Sequence, residues 1–160
     1  MKFHALVLGF FLALPAVAQD SRDTAFLTAR DAFRAGDRNK LERAISQLGN
    51  HELAVYAENY RLRMYIDQGD SAGMRAFLER NERSYVAEKF RADWIRWLGK
   101  RGIWNDIETE YGALIAPEPD VTCWQQQARL ARGDRSVLDE AENLWLTMLE
   151  PPESCRPVMD

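Results

Sequence analysis

The chain has two cysteines, Cys123 and Cys155, and several chemistries are open to a pair of thiols. They can form a disulfide in an oxidising compartment, join a metal site, or act as a redox pair. A zinc site usually has four ligands, and the only histidine beyond residue 18, His51, is far away in the sequence. A redox pair more often has C-x-x-C spacing, which is absent. We therefore expect an intramolecular disulfide if the chain is exported.

Carboxylates are the second group of residues that could do chemistry, because a glutamic acid can act as a general acid. They cluster at Glu108/Glu110 and at Asp139/Glu140/Glu142. A general acid needs a pocket that raises its pKa, and the surrounding sequence gives no sign of one. Charges at helical spacing are more simply solvated helix faces. We expect neither a catalytic residue nor a metal site among them.

The remaining histidine, His51, follows Gly49 and Asn50 in a predicted loop. We expect it to cap or contact backbone rather than to transfer protons. The chain also lacks an H-E-x-x-H segment and a glycine-rich phosphate loop. The sequence therefore predicts a polypeptide that needs no cofactor and has no catalytic activity of its own.

The N-terminal segment 1–18 has the organisation of a secretory signal peptide. Lys2 and His4 precede an apolar run at positions 5–14, and small side chains at 16–18 precede Gln19, where cleavage is expected. A bilayer-spanning helix needs roughly 20 apolar residues, and this run is about half as long. We therefore predict cleavage before Gln19, export of residues 19–160 and no permanent membrane anchor.

The charge balance of the exported part argues against nucleic acid as a partner. Removal of residues 1–18 takes away only Lys2 among the charged residues, which leaves 20 basic and 25 acidic side chains and a net charge of −5. Phosphate binding needs a clustered basic surface, and this excess is acidic. The exported segment 19–160 is long enough for one domain with a substantial core.

Glycines recur along the chain with a period of roughly 33 residues, a spacing typical of helical repeats. The predicted turns are Gly36-Asp37, Gly69-Asp70, Gly102 and Gly133-Asp134. The fifth residue after each glycine is apolar, namely Leu41, Met74, Ile107 and Leu138. Glycine can take the left-handed conformation that ends one helix, and aspartate can cap the next. Each repeat is therefore predicted to be a helix, a tight turn and a second helix.

The spacing of apolar residues between these turns predicts eight helices and no strand. They cover residues 24–35, 39–48, 53–68, 71–82, 85–101, 103–114, 121–132 and 137–149. Four prolines are expected outside them, Pro117, Pro119, Pro151 and Pro152.

Because one helix pair cannot bury its apolar face alone, successive pairs should stack into an α-solenoid. The predicted fold is therefore an all-α superhelix of stacked helix pairs, with the right-handed curvature of tetratricopeptide repeats. Aromatic side chains at helical spacing are expected to pack in its core. They are Phe33, Tyr65, Phe77, Phe90, Trp94, Trp97, Trp104 and Trp145.

Several stretches together resemble the N-terminal superhelical part of the soluble lytic murein transglycosylases. The longest is FLERNERSYVAEKFRADWIRWLG at residues 77–99, followed by CW…ARLARGD at 123–134 and AENLWL…SC at 141–155. The resemblance covers nearly all of residues 24–158 and includes the cysteine pair, which that family also carries as a disulfide. One departure lies at residues 51–56, where the family often has proline at the positions of Glu52 and Val55.

The resemblance implies a periplasmic protein that takes part in peptidoglycan turnover. Enzymes of this family cleave the bond between N-acetylmuramic acid and N-acetylglucosamine and leave a 1,6-anhydro end. Their catalytic glutamic acid lies in a C-terminal lysozyme-like domain, with a Glu-Ser pair and a later Gly-Leu-Met-Gln segment. No Gly-Leu-Met-Gln segment occurs here, and Glu108-Thr109 resembles the catalytic pair only distantly. Contact with glycan strands would then depend on the catalytic domain that this chain lacks.

Two functions remain open from the sequence. The chain could be the non-catalytic part of a peptidoglycan-cleaving enzyme, or a free-standing periplasmic scaffold that binds a protein partner. A complete solenoid should finish with a polar capping helix, whereas residues 155–160 read as the start of a helix with Pro157 in its first turn. The sequence therefore favours a fragment or a truncated reading frame.

Overall fold

The structure is a computed structural model that describes residues 16–159, with side chains from residue 21 onward. Every regular element in this range is helical, so the all-α prediction is confirmed. The α-helices are α1 (Ala16–Ala35), α2 (Arg38–Leu48), α3 (Ala54–Met64), α4 (Ser71–Arg80), α5 (Tyr85–Lys100), α6 (Ile107–Gly112), α7 (Pro119–Ala131), α8 (Val137–Trp145) and α9 (Arg156–Met159). Short 3₁₀ helices cover Ile66–Gln68, Trp104–Asp106 and Glu153–Cys155.

The predicted signal peptide, residues 1–18, lies outside the described residues except for its last three, which begin α1. No helix within residues 16–159 is long and apolar enough to cross a membrane. The chain divides into two compact units, Met1–Ala57 and Glu58–Asp160, and the boundary falls within α3.

In the first unit, α1 packs closely against α2. Buried side chains recur every three or four residues in both helices, with Ala25, Ala29 and Ala32 in α1 and Leu41, Ala44 and Leu48 in α2. Such alanines let two helices approach closely while the leucines fill the space between them. The loop after α2 is tied to α1 by a hydrogen bond between His51 Nε2 and Asp23 Oδ1, 2.8 Å long.

The core of the second unit is aromatic. Phe77 of α4 and Phe90 of α5 meet edge to face with ring centroids 5.4 Å apart, and both are fully buried, as is Trp94. Edge-to-face packing is a favourable arrangement for aromatic pairs. The prediction of core packing is therefore confirmed for these three rings. It is wrong for Trp145, which is 52% exposed at the end of α8.

The first two repeat turns have the geometry that their residue types predict. Gly36 and Gly69 both have φ of +70°, in the left-handed region that favours glycine. The carboxylate of Asp37 accepts a hydrogen bond of 2.9 Å from the Lys40 amide. Asp70 accepts an equivalent bond of 2.9 Å from the Gly73 amide. These aspartates are the N-caps of α2 and α4.

The other two turns differ from the repeat pattern, although Gly102 and Gly133 also have positive φ. After Gly133, Asp134 accepts hydrogen bonds from the amide and hydroxyl of Ser136 instead of capping α8. Helix α8 therefore begins at Val137, which takes the buried position, and the expected apolar residue Leu138 is 38% exposed.

Several predicted helix boundaries are wrong by a few residues. Helix α6 begins at Ile107 rather than at residue 103, because residues Trp104–Asp106 form a 3₁₀ helix. Helix α3 ends at Met64 rather than at residue 68, because Ile66–Gln68 form another 3₁₀ helix. Helix α8 ends at Trp145 rather than at residue 149. Pro119 does not lie outside the helices but is the first residue of α7, where its missing amide hydrogen costs no hydrogen bond.

Candidate binding cleft

Cys123 and Cys155 form a disulfide, as the sequence predicts. Cys123 lies in α7 and Cys155 in the 3₁₀ helix before α9, with Cα atoms 4.8 Å apart, and both side chains are completely buried. The bond holds the segment that follows α8 against α7. Because both sulfur atoms are buried, the disulfide is a structural link between these two segments rather than a reactive group at the surface.

Hydrogen bonds reinforce the same attachment. The side-chain amide of Gln127 donates to the Ser154 carbonyl at 2.6 Å. The Ser154 hydroxyl donates to the Asp120 carbonyl at 3.1 Å. Gln127 and Asp120 both belong to α7, one on either side of Cys123 along the helix. The disulfide and these two bonds therefore fix residues 153–155 along α7.

A cleft of about 530 Å³ opens between α5, α7 and this attached segment. Helix α5 contributes Arg96 and Lys100, which are four residues apart, and α7 contributes side chains spaced at one helical face. The full lining is Arg96, Lys100, Asp120, Trp124, Gln127, Pro152, Glu153, Ser154 and Pro157. The volume falls within the range of roughly 300–1,000 Å³ that is usual for small-molecule sites.

The indole of Trp124 has a defined position in the cleft because Gly99 lies directly behind it. A β-carbon built on Gly99 would be 2.4 Å from two ring atoms of Trp124, closer than side-chain carbons approach. Only glycine at this position of α5 lets the ring rest on the helix backbone. Trp124 remains half-buried, so part of the indole is open to the cleft.

Arg96 is held by carboxylates at one side of the cleft. Its guanidinium makes a two-pronged contact with Asp120, with distances of 2.6 and 2.9 Å, and contacts Asp93 at 3.1 Å. Glu118 also accepts a hydrogen bond from it and a second one from Lys89. The hydrogen bond from Lys89, and then that from Arg96, hold the pKa of Glu118 below its ordinary value.

Two charged residues of the cleft remain available. Lys100 and Glu153 are exposed, and neither makes an ion pair with another residue of the described part of the chain. The four charged residues of the lining carry two positive and two negative charges. The cleft therefore offers both an unpaired donor and an unpaired acceptor without a net charge.

Glu110 corrects the prediction that Glu108 and Glu110 are solvated. Its side chain is only 6% exposed and accepts hydrogen bonds from Arg75 at 3.4 Å and from Arg91 at 3.3 Å. These arginines belong to α4 and α5, so Glu110 joins α6 to both helices. Glu108 is partly exposed and pairs with Arg132. A buried carboxylate with two guanidinium partners is a structural element of the unit.

His51 contacts backbone, as the sequence predicts. Its Nδ1 accepts a hydrogen bond of 3.1 Å from the Leu53 amide, so the neutral ring carries its proton on Nε2, next to Asp23.

Within residues 16–159, no group of three or more His, Cys, Asp or Glu side chains has the arrangement of a metal site.

The predicted site residues have two different locations. The cysteines do not line the cleft, but their disulfide holds the segment that does, whereas the repeat-turn residues lie at the junctions between helices. Sequence reasoning missed Lys100, Trp124 and Gln127. Positions 120, 124 and 127 share one helical face, which is the one signal that could have grouped them.

Comparisons with known proteins give no relative for this chain. No family model, curated protein or solved structure matches it.

Proposed function

We propose that this chain is the non-catalytic helical part of a periplasmic lytic transglycosylase that acts in peptidoglycan turnover. In this proposal its helix pairs stack into a superhelical solenoid, and the reacting glutamic acid belongs to a lysozyme-like domain outside these residues. The helical part serves to hold glycan strands or partners beside that domain.

The observation that carries the proposal is the disulfide between Cys123 and Cys155. It occupies the positions at which the resembled family has its own disulfide. The left-handed glycine turns of the helix pairs, which recur roughly every 33 residues, agree with the same resemblance. A disulfide also fits an exported protein, since disulfides persist in oxidising compartments.

The lining of the cleft supports a binding role rather than a catalytic one. Its carboxylates are Asp120, which is paired with Arg96, and Glu153, which is exposed. A general acid for glycoside cleavage needs a raised pKa in an enclosed site, and retaining hydrolysis needs a second carboxylate about 5 Å away. Neither carboxylate has an apolar enclosure. The cleft therefore fits a site that binds without reacting.

The test is whether the protein is exported and associates with peptidoglycan. A C-terminally tagged chain produced in a Gram-negative host should appear in the periplasmic fraction with Gln19 as its first residue, and should sediment with purified sacculi. Sacculi digested with lysozyme are the control and should leave it in the supernatant. A cytoplasmic product that keeps residues 1–18 and does not sediment with intact sacculi would contradict the proposal.

A second candidate, a scaffold that binds protein, is favoured by one observation. Apolar side chains are exposed at and after the end of α8: Trp145 is 52%, Leu146 81% and Leu149 fully exposed. Clustered exposed apolar residues often mark protein interfaces. A Leu146→Glu and Leu149→Glu double variant that keeps sacculus binding but loses a periplasmic partner on cross-linking would support this candidate.

A further inference from the structure

We infer that the cleft between α5 and α7 is a saccharide site, in which a neutral pyranose ring stacks on Trp124. The inference rests on the proposed function, because it assigns to this cleft the contact between the helical part and a glycan strand. It is carried by three features of the cleft: its unpaired donor and acceptor, its fixed indole and its helical walls.

The charges of the cleft select against ionic ligands. An anion is attracted by Lys100 but repelled by Glu153, and a cation meets the reverse arrangement. A hydroxyl group both donates and accepts hydrogen bonds, so a polyhydroxylated ring can use both side chains at once. The remaining charged pair, Arg96 and Asp120, is already satisfied. A neutral sugar therefore gains contacts without having to break an ion pair.

The indole of Trp124 supplies the apolar contact that a pyranose needs. One side of a sugar ring presents C–H groups, and an aromatic side chain provides a large, rigid surface for them. Because Gly99 lies behind the indole, little side-chain freedom remains to be lost on binding. Gln127, one turn further along α7, also lines the cleft, where its amide donates to the Ser154 carbonyl.

The walls of the cleft favour a sugar over a peptide. An extended peptide is usually held through its backbone by a strand edge or by free amide and carbonyl groups. Here the lining belongs to helices α5 and α7, to the 3₁₀ helix Glu153–Cys155, and to Pro152 and Pro157, which have no amide hydrogen. None of these lining residues belongs to a strand, and the unpaired side chains of Lys100 and Glu153 suit hydroxyl groups.

The test is a titration of the exported protein, purified from the periplasm, with the tetramer of N-acetylglucosamine. The chain has five tryptophans, and a Trp124→Phe variant identifies which indole N–H signal in the ¹H–¹⁵N spectrum belongs to Trp124. We expect saturable movement of that signal, with a dissociation constant on the order of 1 mM or tighter. The signal of Trp145, which is outside the cleft, should not move.

Variants separate binding from folding. Trp124→Ala should weaken binding at least tenfold, and Trp145→Ala, a matched change of an exposed indole, should leave it unchanged. Because loss of Trp124 could also perturb the fold, Lys100→Met and Glu153→Met change exposed side chains only, and each removes one polar group. Each should weaken binding roughly three- to tenfold, the usual value of one hydrogen bond, with an unchanged spectrum elsewhere.

The outcomes also separate this inference from the proposed function. If the protein sediments with sacculi but the tetramer moves no cleft signal, the saccharide site is wrong and the proposed function stands. If the tetramer binds as expected but the protein does not sediment with sacculi, the proposed function is wrong and the saccharide site stands. Stronger movement of the Trp124 signal with the tetrapeptide Ala-Glu-Lys-Ala than with the tetramer would overturn the assignment to sugar.

Discussion

The ring of Trp124 lies on the backbone of Gly99, at a place where any β-carbon would be 2.4 Å from ring atoms. This relationship joins α5 to α7 and fixes the one indole that lines the cleft. Because the contact is with backbone, the ring has to move if residue 99 gains a side chain.

We predict that Gly99→Ala displaces the Trp124 indole and destabilises the protein by about 1–3 kcal/mol, as overpacking of a tight contact does. The measurement is the urea midpoint together with the Trp124 indole signal. Gly112→Ala is the matched control, since a β-carbon there has nothing within 4 Å and the residue is helical. This control should be neutral or slightly stabilising; equal midpoints for the two variants would contradict the predicted contact.

Gly69→Val should lower the free energy of unfolding by more than about 1 kcal/mol, because a β-branched residue is strained at φ of +70°. No atom lies within 4 Å of a β-carbon at Gly69, so the loss would report backbone conformation rather than a clash. Gly69→Asn is the control, because asparagine tolerates the left-handed region. The urea midpoint of Gly69→Asn should therefore stay much nearer to that of the unchanged protein.

Reduction of the disulfide should cost about 3–4 kcal/mol of stability, the value that the chain-entropy model gives for a loop of this length. The two cysteines are 32 residues apart, and both are fully buried. Urea denaturation with and without a reductant measures the loss. In a Cys123→Ala and Cys155→Ala double variant, stability should be low in both conditions; a midpoint that still responds to reductant would show another cause.

The stability should decrease in acid partly through Glu118. The Lys89 and Arg96 hydrogen bonds lower the pKa of Glu118 in the folded state, so its contribution is complete above its ordinary value and is lost as the pH falls through the lowered one. Glu118→Gln should therefore flatten the lower part of the curve of urea midpoint against pH. Glu82→Gln, at an exposed side chain, should leave the curve unchanged.

Local residue chemistry explains why the helices and first turns could be predicted. Asp37 and Asp70 cap the helices that follow them because each aspartate stands directly after a left-handed glycine. Asp134 also follows a left-handed glycine, but it accepts hydrogen bonds from Ser136 instead. The local sequence does not indicate which of these two hydrogen-bonding patterns forms.

The cleft could not be predicted because it depends on contacts between distant segments. Nothing in the local pattern shows that Gly99 faces Trp124, or that Glu110 is buried between two arginines from other helices. Helical spacing places residues on one face of one helix, but it does not say which faces meet. The disulfide could be predicted because two cysteines that have neither C-x-x-C spacing nor further metal ligands nearby in the sequence have few other roles.

The proposed function is tested most directly by the glycan-cleaving activity of the native polypeptide. The gene product is isolated from the periplasm with an antibody against residues 19–160 and incubated with sacculi, and the soluble products are separated by chromatography. We predict 1,6-anhydromuropeptides from the native polypeptide and none from purified residues 19–160, because a general acid is expected only in the catalytic domain. Anhydro products from residues 19–160 alone, or none from a native polypeptide assayed beside an active transglycosylase, would contradict it.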